Sequence, residues 1–232
     1  IMQLCNLKII ESDELVNIEV SGEKINNITR YTGNKNFKTC NTIFFEDAIA
    51  FPGLINSHDH LDFNLFPQTG NQVYNNYTEW GEDIHARNKV IIQAVLKIPQ
   101  PLRTEWGLYK NLLNGVTTVV NHGERLHIKN KVISVLQNNY SLHSVQFEKK
   151  WKLKLNSIFK NNQPFVIHIG EGTDEASHEE INELIKWNLF RRKIIGVHGV
   201  AMDEDQAKAF QALVWCPASN NFMFNASAPI DE

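Results

Sequence analysis

The 232-residue sequence is short of several things, and each shortage excludes a class of protein. It has three cysteines, Cys5, Cys40 and Cys216, an odd number with no metal-like pairing. They exclude a disulfide framework and read as reduced thiols of a cytoplasmic protein. No apolar run approaches the roughly 18 residues that a membrane span needs, and no charged-then-apolar start marks an export signal. There is no surplus of basic charge: 23 Lys+Arg stand against 26 Asp+Glu, a net charge of −3. Nucleic acid is therefore not an expected partner, and neither is a membrane. No G-x-G-x-x-G follows the first strand of the alternating region, so a nicotinamide or flavin enzyme lacks its phosphate grip. Repeats and low-complexity stretches are missing too. What remains, 42% hydrophobic and 10% aromatic, is a globular chain.

Two organisations follow one another. Residues 1–50 read as a small β module, with period-two alternation over Val16–Val20, a turn at Ser21-Gly22-Glu23-Lys24, and strand candidates at 42–45 and 48–51. Residues 51–232 read as strands alternating with helices. The strands are a short buried one at Gly53–Asn56, then Val116–Val120 entered through Asn114-Gly115, Leu142–Phe147, Pro164–Ile167 and Lys193–Val197. Helices are predicted over about 86–114 with a break at Pro99-Gln100-Pro101, and at 128–138 and 148–160. Two more follow Ser177-His178-Glu179-Glu180, which fits a capping box, and Asp203-Glu204-Asp205-Gln206. Such βα alternation with non-alternating strands implies a parallel sheet buried on both faces. An open doubly wound sheet and a closed barrel both satisfy it.

Four histidines fall at the C-terminal ends of three predicted strands: His58 and His60 after the first, then His168 and His198. Two histidines at i and i+2 on an extended segment point the same way, so both rings can reach one ion. Neutral imidazoles gathered where a parallel barrel builds its active sites suit a divalent transition metal, zinc most simply and iron with the same ligands. Any one of them alone reads as a hydrogen-bonded structural residue; the pattern carries the argument. His122 follows the second strand and can line the same pocket, His143 is intermediate, and His85, His127 and His178 read as solvated. Glu171, in His168-Ile169-Gly170-Glu171-Gly172, can fold over the strand tip and exchange a proton with a metal-activated water. Its plainer reading is an acid at a helix N-terminus. The segment 62–77, with Phe63, Phe66, Tyr74 and Tyr77, either stacks on a planar substrate or packs a long loop.

These residues carry a resemblance. Phe51-Pro52-Gly53-Leu54-Ile55-Asn56-Ser57-His58-Asp59-His60 resembles the entry motif of the amidohydrolase superfamily. His168-x-x-Glu171, Val197-His198-Gly199-Val200 and Cys216-Pro217-Ala218-Ser219-Asn220 follow in order and resemble its cytosine deaminase, guanine deaminase and triazine hydrolase (chlorohydrolase) branch. The resemblance implies a metal-dependent (β/α) TIM-type barrel with a small β-sandwich at the N-terminus, cleaving C–N bonds of a heterocycle or cyclic amide, in some members as a deaminase releasing ammonia. It implies His58, His60, His168 and His198 as metal ligands and Glu171 as proton shuttle. His198 would also polarise the attacked group, and Ser219 and Asn220 would shape the substrate site with His122. A small-molecule substrate and a homo-oligomer belong to the same picture.

Two departures qualify it. The family's last site residue, an aspartate ending the eighth strand, falls by family spacing beyond Glu232, and Asp231 follows Asn220 too soon to be it. Between Leu142–Phe147 and the His168 strand only one helix fits, where the family places a further strand–helix unit. Eight βα units alone take about 250 residues, so the expectation is an incomplete barrel. A catalytically incomplete barrel serving as a binding or structural protein is the alternative. Lys150, Lys152 and Lys154 read as the polar face of a helix carrying Trp151, Leu155, Ile158 and Phe159, rather than as a bridging metal ligand.

Overall fold

A computed structural model describes residues 1–10, 12–33, 41–158 and 163–229; Cys40, Phe159, Lys160 and Asp231 lie outside the described residues. The chain forms two compact units, Ile1–Gly53 and Leu54–Glu232.

In the first unit β1 (Met2–Ile9) pairs antiparallel with β2 (Leu15–Ser21), and β2 with β3 (Lys24–Arg30). Ser21 faces Lys24 across the two-residue turn, where Gly22 takes φ +61° without steric cost. β4 (Thr42–Phe44) and β5 (Ile49–Ala50) add to β1 in parallel. The β1–β2 register slips between Leu4 and Leu7, where Asn6 enters the left-handed region at φ +64°. That bulge keeps Leu7 on the face it shares with Val16 and Ile18, which form this unit's core.

The second unit holds two parallel sheets. β6 (Leu54–Asp59), β7 (Val116–Asn121) and β8 (Ser134–Leu136) form one, in that spatial order. β9 (Tyr140–Ser144), β10 (Phe165–Ile169), β11 (Ile194–His198) and β12 (Ala212–Val214) form the other, again in chain order. The helices are α1 (Tyr77–Arg87), α2 (Lys89–Leu96), α3 (Gln100–Leu113), α4 (Trp151–Leu155), α5 (Glu175–Trp187), α6 (Glu204–Ala207) and α7 (Pro217–Phe224). Asn76 starts α1 by accepting from the Thr78 and Glu79 amides, and Asn114-Gly115 ends α3, with Gly115 at φ +77°.

Several expectations change. Residues 128–138 are not a helix: the segment reaches β8, whose backbone groups complete the β7 ladder. β8 is thus an additional strand, lying before the 142–147 strand rather than after it. That later strand runs instead over Tyr140–Ser144. Among the described residues of the expected 148–160 helix, the α-helix is α4, which buries Trp151 and Leu155, while Lys152 and Lys154 pair with Glu183 and Glu148. The α5 cap is Asp174, accepting from the Ser177 amide, so Ser177 sits inside the helix rather than capping it. Asp203 and Gln206 do form a capping box, on a helix of only four residues.

Burial also divides the strands. β10 is buried along its whole length and β11 nearly so. They centre a core of Leu142, Trp151, Leu155, Phe165, Ile167, Ile169, Ile181, Leu184 and Ile194. β6, expected to be buried, leaves Leu54 and Ile55 50% and 66% exposed. Ile167→Ala should therefore cost about 2–5 kcal/mol and Ile55→Ala no more than about 0.5 kcal/mol, measured by urea denaturation. Equal losses would contradict this placement of the core.

Candidate metal centre

Every strand that contributes an imidazole does so at its C-terminal end. The tip of β6 carries His58 and the residue after it is His60; β10 carries His168; β11 ends on His198. The chain turns sharply at the last two. Gly170 takes φ +60°, and a Cβ there would press on Ile181. His198 itself sits at φ +76°, followed by Gly199 at φ +61°. A non-glycine residue in the left-handed region carries a strain of about 1–3 kcal/mol and clusters at functional sites.

His168 Nε2 lies 3.0 Å from His58 Nε2 and 3.3 Å from His60 Nε2. These three ligand atoms form a group within 4.8 Å of one another. The donor set fits a divalent cation: Zn–N bonds of about 2.0–2.1 Å in a tetrahedral site put neighbouring nitrogens about 3.3 Å apart. The tautomer fits as well. His168 Nδ1–H donates to the His143 carbonyl at 2.6 Å, which leaves the Nε2 lone pair facing the other two rings. One nitrogen lone pair facing two imidazole nitrogens is best satisfied by a shared cation.

His198 stands one step out, its ring centroid 5.3 Å from His168 and 6.3 Å from His58. Its Nδ1–H donates to Asn220 Oδ1 at 2.8 Å, and its Nε2 lies 3.4 Å from Glu171 Oε1. Burial pushes Glu171 up to about 8 and His198 down to about 4. At neutral pH and without a cation the proton therefore sits on the carboxyl, and the contact is a neutral pair rather than an ion pair. Burial and then the neighbouring imidazoles lower His58 to about 2; burial is the first cause for His122, at about 3, and His60, at about 4. His168 is held well below the ordinary value in the same way.

The remaining sequence candidates separate. His122 is buried with its centroid 4.5 Å from His168; its Nε2–H donates to the Leu142 carbonyl, and its Nδ1 has no partner among the described residues. Asn220 touches His198, whereas the Ser219 hydroxyl donates to the Cys216 carbonyl. Of the aromatic segment, Phe63 stacks on His60 at 5.6 Å, while Tyr74 and Tyr77 are buried against Met223 and Phe224. His85 and His127 are exposed, and His178 bonds Asp203.

Sequence reasoning missed the supports. The His143 carbonyl orients His168. Buried Glu180 accepts from the Gly170 amide at 2.9 Å, and burial raises it to about 8. Asn121 Oδ1 accepts from the Leu61 amide. No spacing rule announces them, because each meets its partner across the fold.

No family model and no curated protein matches the sequence. Solved structures do match. 5-Methylcytosine deaminase from Klebsiella pneumoniae, liganded with 5-fluorocytosine, aligns over 96% of this chain and 67% of its own, at 12% identity and a TM-score of 0.54. The same enzyme liganded with phosphonocytosine aligns at a TM-score of 0.56. A mutant atrazine chlorohydrolase from Arthrobacter aurescens, complexed with zinc and atraton, aligns over 90% of this chain and 63% of its own, at 16% identity and a TM-score of 0.58. The chain thus spans about two thirds of the length of these structures and shares their fold.

The shifts set a pH dependence for the metal-free chain. Histidines lowered by folding contribute stability above about pH 6.5 that is lost as pH falls toward their folded values. Glu171 and Glu180, raised by folding, act oppositely: their contribution is full below about pH 4.5 and lost as pH rises through about 8. Six histidines outweigh two carboxyls on the acid side. The Tm of the metal-free chain should be highest near about pH 6.5 and drop steeply toward about pH 5. A Tm unchanged over that acid range would show that these imidazoles are not buried as described.

Proposed function

We propose that this chain is the metal-binding part of an amidohydrolase-type enzyme that hydrolyses C–N bonds of a small heterocycle or cyclic amide. The observation that carries it is the convergence of the His58, His60 and His168 Nε2 atoms from two strand tips. The fold shared with a deaminase and a chlorohydrolase supports it. In this reading β6 through β12 are successive staves of a (β/α) barrel. Both sheets run in chain order and all their pairs are parallel, and β8 is read as the unit missing from the sequence-based count. Ile1–Gly53 is read as the sandwich portion.

His58, His60 and His168 would hold one divalent ion, zinc by preference, with His198 as fourth candidate donor. Such a cation supplies Lewis acidity and lowers the pKa of water toward neutrality. Glu171 then carries the proton: its buried carboxyl takes it up at Oε1 or Oε2 and releases it toward the leaving nitrogen. A cation in the pocket draws Glu171 toward its ionised form, the state that accepts a proton. Asn220 accepts from His198 Nδ1–H and so leaves Nε2 as a lone pair suited to the fourth donor position; polarising the group under attack would require His198 to be protonated at Nε2 as well. Phe63, stacked on His60 and half exposed, offers an aromatic face to a planar ring, and the free His122 Nδ1 accepts a hydrogen bond from it. Ser219, on the same helix as Asn220, shapes the wall of the substrate site.

The test is metal content followed by turnover. The chain should bind about one equivalent of zinc, His58→Ala should lose it, and Glu171→Gln should keep it. With aminated heterocycles as substrates, ammonia release by wild type and a loss of at least about 100-fold in Glu171→Gln are expected. Hydrolysis of lactams or imides instead would assign a non-deaminating enzyme. Less than about a tenth of an equivalent of zinc, iron or manganese would sink the enzyme reading in favour of a binding or structural protein.

A further inference from the structure

One face of α3 grips the segment that carries His58 and His60. Arg103, Gly107 and Asn111 are spaced i, i+4 and i+8, so they stand one above another along the helix. Each meets a successive part of the strand tip. Asn111 Nδ2 donates to Asp59 Oδ2 at 2.6 Å, and its Oδ1 accepts from Asn56 Nδ2 at 2.9 Å. Gly107 lets the helix backbone lie against the Leu61 carbonyl, where any Cβ would collide. Arg103 Nη1 donates to the Asp62 carbonyl at 2.8 Å. All three α3 residues are buried.

Asp59, between the two histidines, receives amide donors from Asn56, Asn64 and Asn111. Asn111 is fully engaged, since its second N–H donates to the Gly107 carbonyl. On an extended segment the side chains of 58 and 60 point opposite to that of 59. Holding the Asp59 carboxylate toward the helix therefore aims both imidazoles the other way, toward His168.

Resting on the metal-site reading above, we propose that the Arg103–Gly107–Asn111 face of α3 is the positioning element that holds His58 and His60 in metal-ligating geometry. The three residues act through Asp59 and the backbone of Leu61 and Asp62 rather than on the imidazoles themselves. Partners of this kind change metal affinity by about 10–100-fold when removed, and Asn111 should do so although it lies 52 residues from Asp59 in sequence.

The experiment measures zinc affinity of the 232-residue chain by competition with a chromophoric chelator, alongside the Tm of each metal-free protein. Asn111→Ala, and the near-isosteric Asn111→Asp in case alanine disturbs folding, should each weaken zinc binding by about 10–100-fold. Leu155→Ala, a core truncation on α4, should lower Tm and leave zinc affinity within about twofold of wild type. Wild-type affinity in both Asn111 variants would overturn the proposal, and so would an equal loss of affinity in Leu155→Ala, which would make the effect one of general destabilisation. If wild type itself binds no zinc, the metal-site reading fails and this inference falls with it; if wild type binds and the Asn111 variants match it, only the inference fails.

Discussion

Three imidazole nitrogens removed from bulk water and turned toward one another are the constraint around which the Leu54–Glu232 unit is organised. The His168 lone pair can be met at 3.0 or 3.3 Å by an N–H of His58 or of His60, or all three nitrogens can turn their lone pairs to one cation. Protonating them would bury several positive charges together, which is why burial and neighbouring rings drive all of them below the ordinary histidine range. A shared divalent cation would take all three lone pairs with one charge centre. Without it, the folded chain holds a cluster that resists protonation well below the ordinary histidine range.

Much of the surrounding structure serves to hold that arrangement. The β10–β11 pair is buried along nearly its whole length and in parallel register, which sets the tips that carry His168 and His198 side by side. Left-handed backbone at Gly170 and His198 ends each strand abruptly and turns the following loop back over the tip. Glu171 reaches His198 for that reason, and the Tyr77 amide donating to the Glu171 carbonyl ties the start of α1 to the same loop. β6 is different: Leu54 and Ile55 are exposed, and its tip is held to α3 and β7 by polar contacts together with Leu61, which is fully buried against Leu108 and Val119.

The misread segment at 128–138 shows where pattern reasoning stops. Ile128, Val132, Ile133 and Val135 recur at spacings a helix can use, yet the free edge of β7 offers unpaired backbone groups that only an extended segment satisfies. Tertiary pairing therefore overrides local periodicity. The Ser177 cap fails for a smaller reason: Asp174 lies three residues earlier, and its carboxylate accepts from the Ser177 amide and hydroxyl alike. In the aromatic segment sequence composition left stacking and packing equally open. Tyr74 and Tyr77 pack while Phe63 faces His60, a division set by which side of the loop meets α7.

By itself the sequence determined the donor types and their strand-end positions, since i and i+2 spacing on an extended chain and a histidine closing an apolar run are local geometry. It also determined the βα alternation over much of the second unit, because hydrophobic period and turn residues act within a few positions. Only the tertiary structure decided which donors meet. His58 and His60 come together with His168 across 110 and 108 residues, while His198 stands apart beside Glu171. The supports at Asn111, Asn121 and the His143 carbonyl were decided there too. Their contacts are made by side chains and backbone groups far apart in sequence, and distance along the chain carries no record of distance in space.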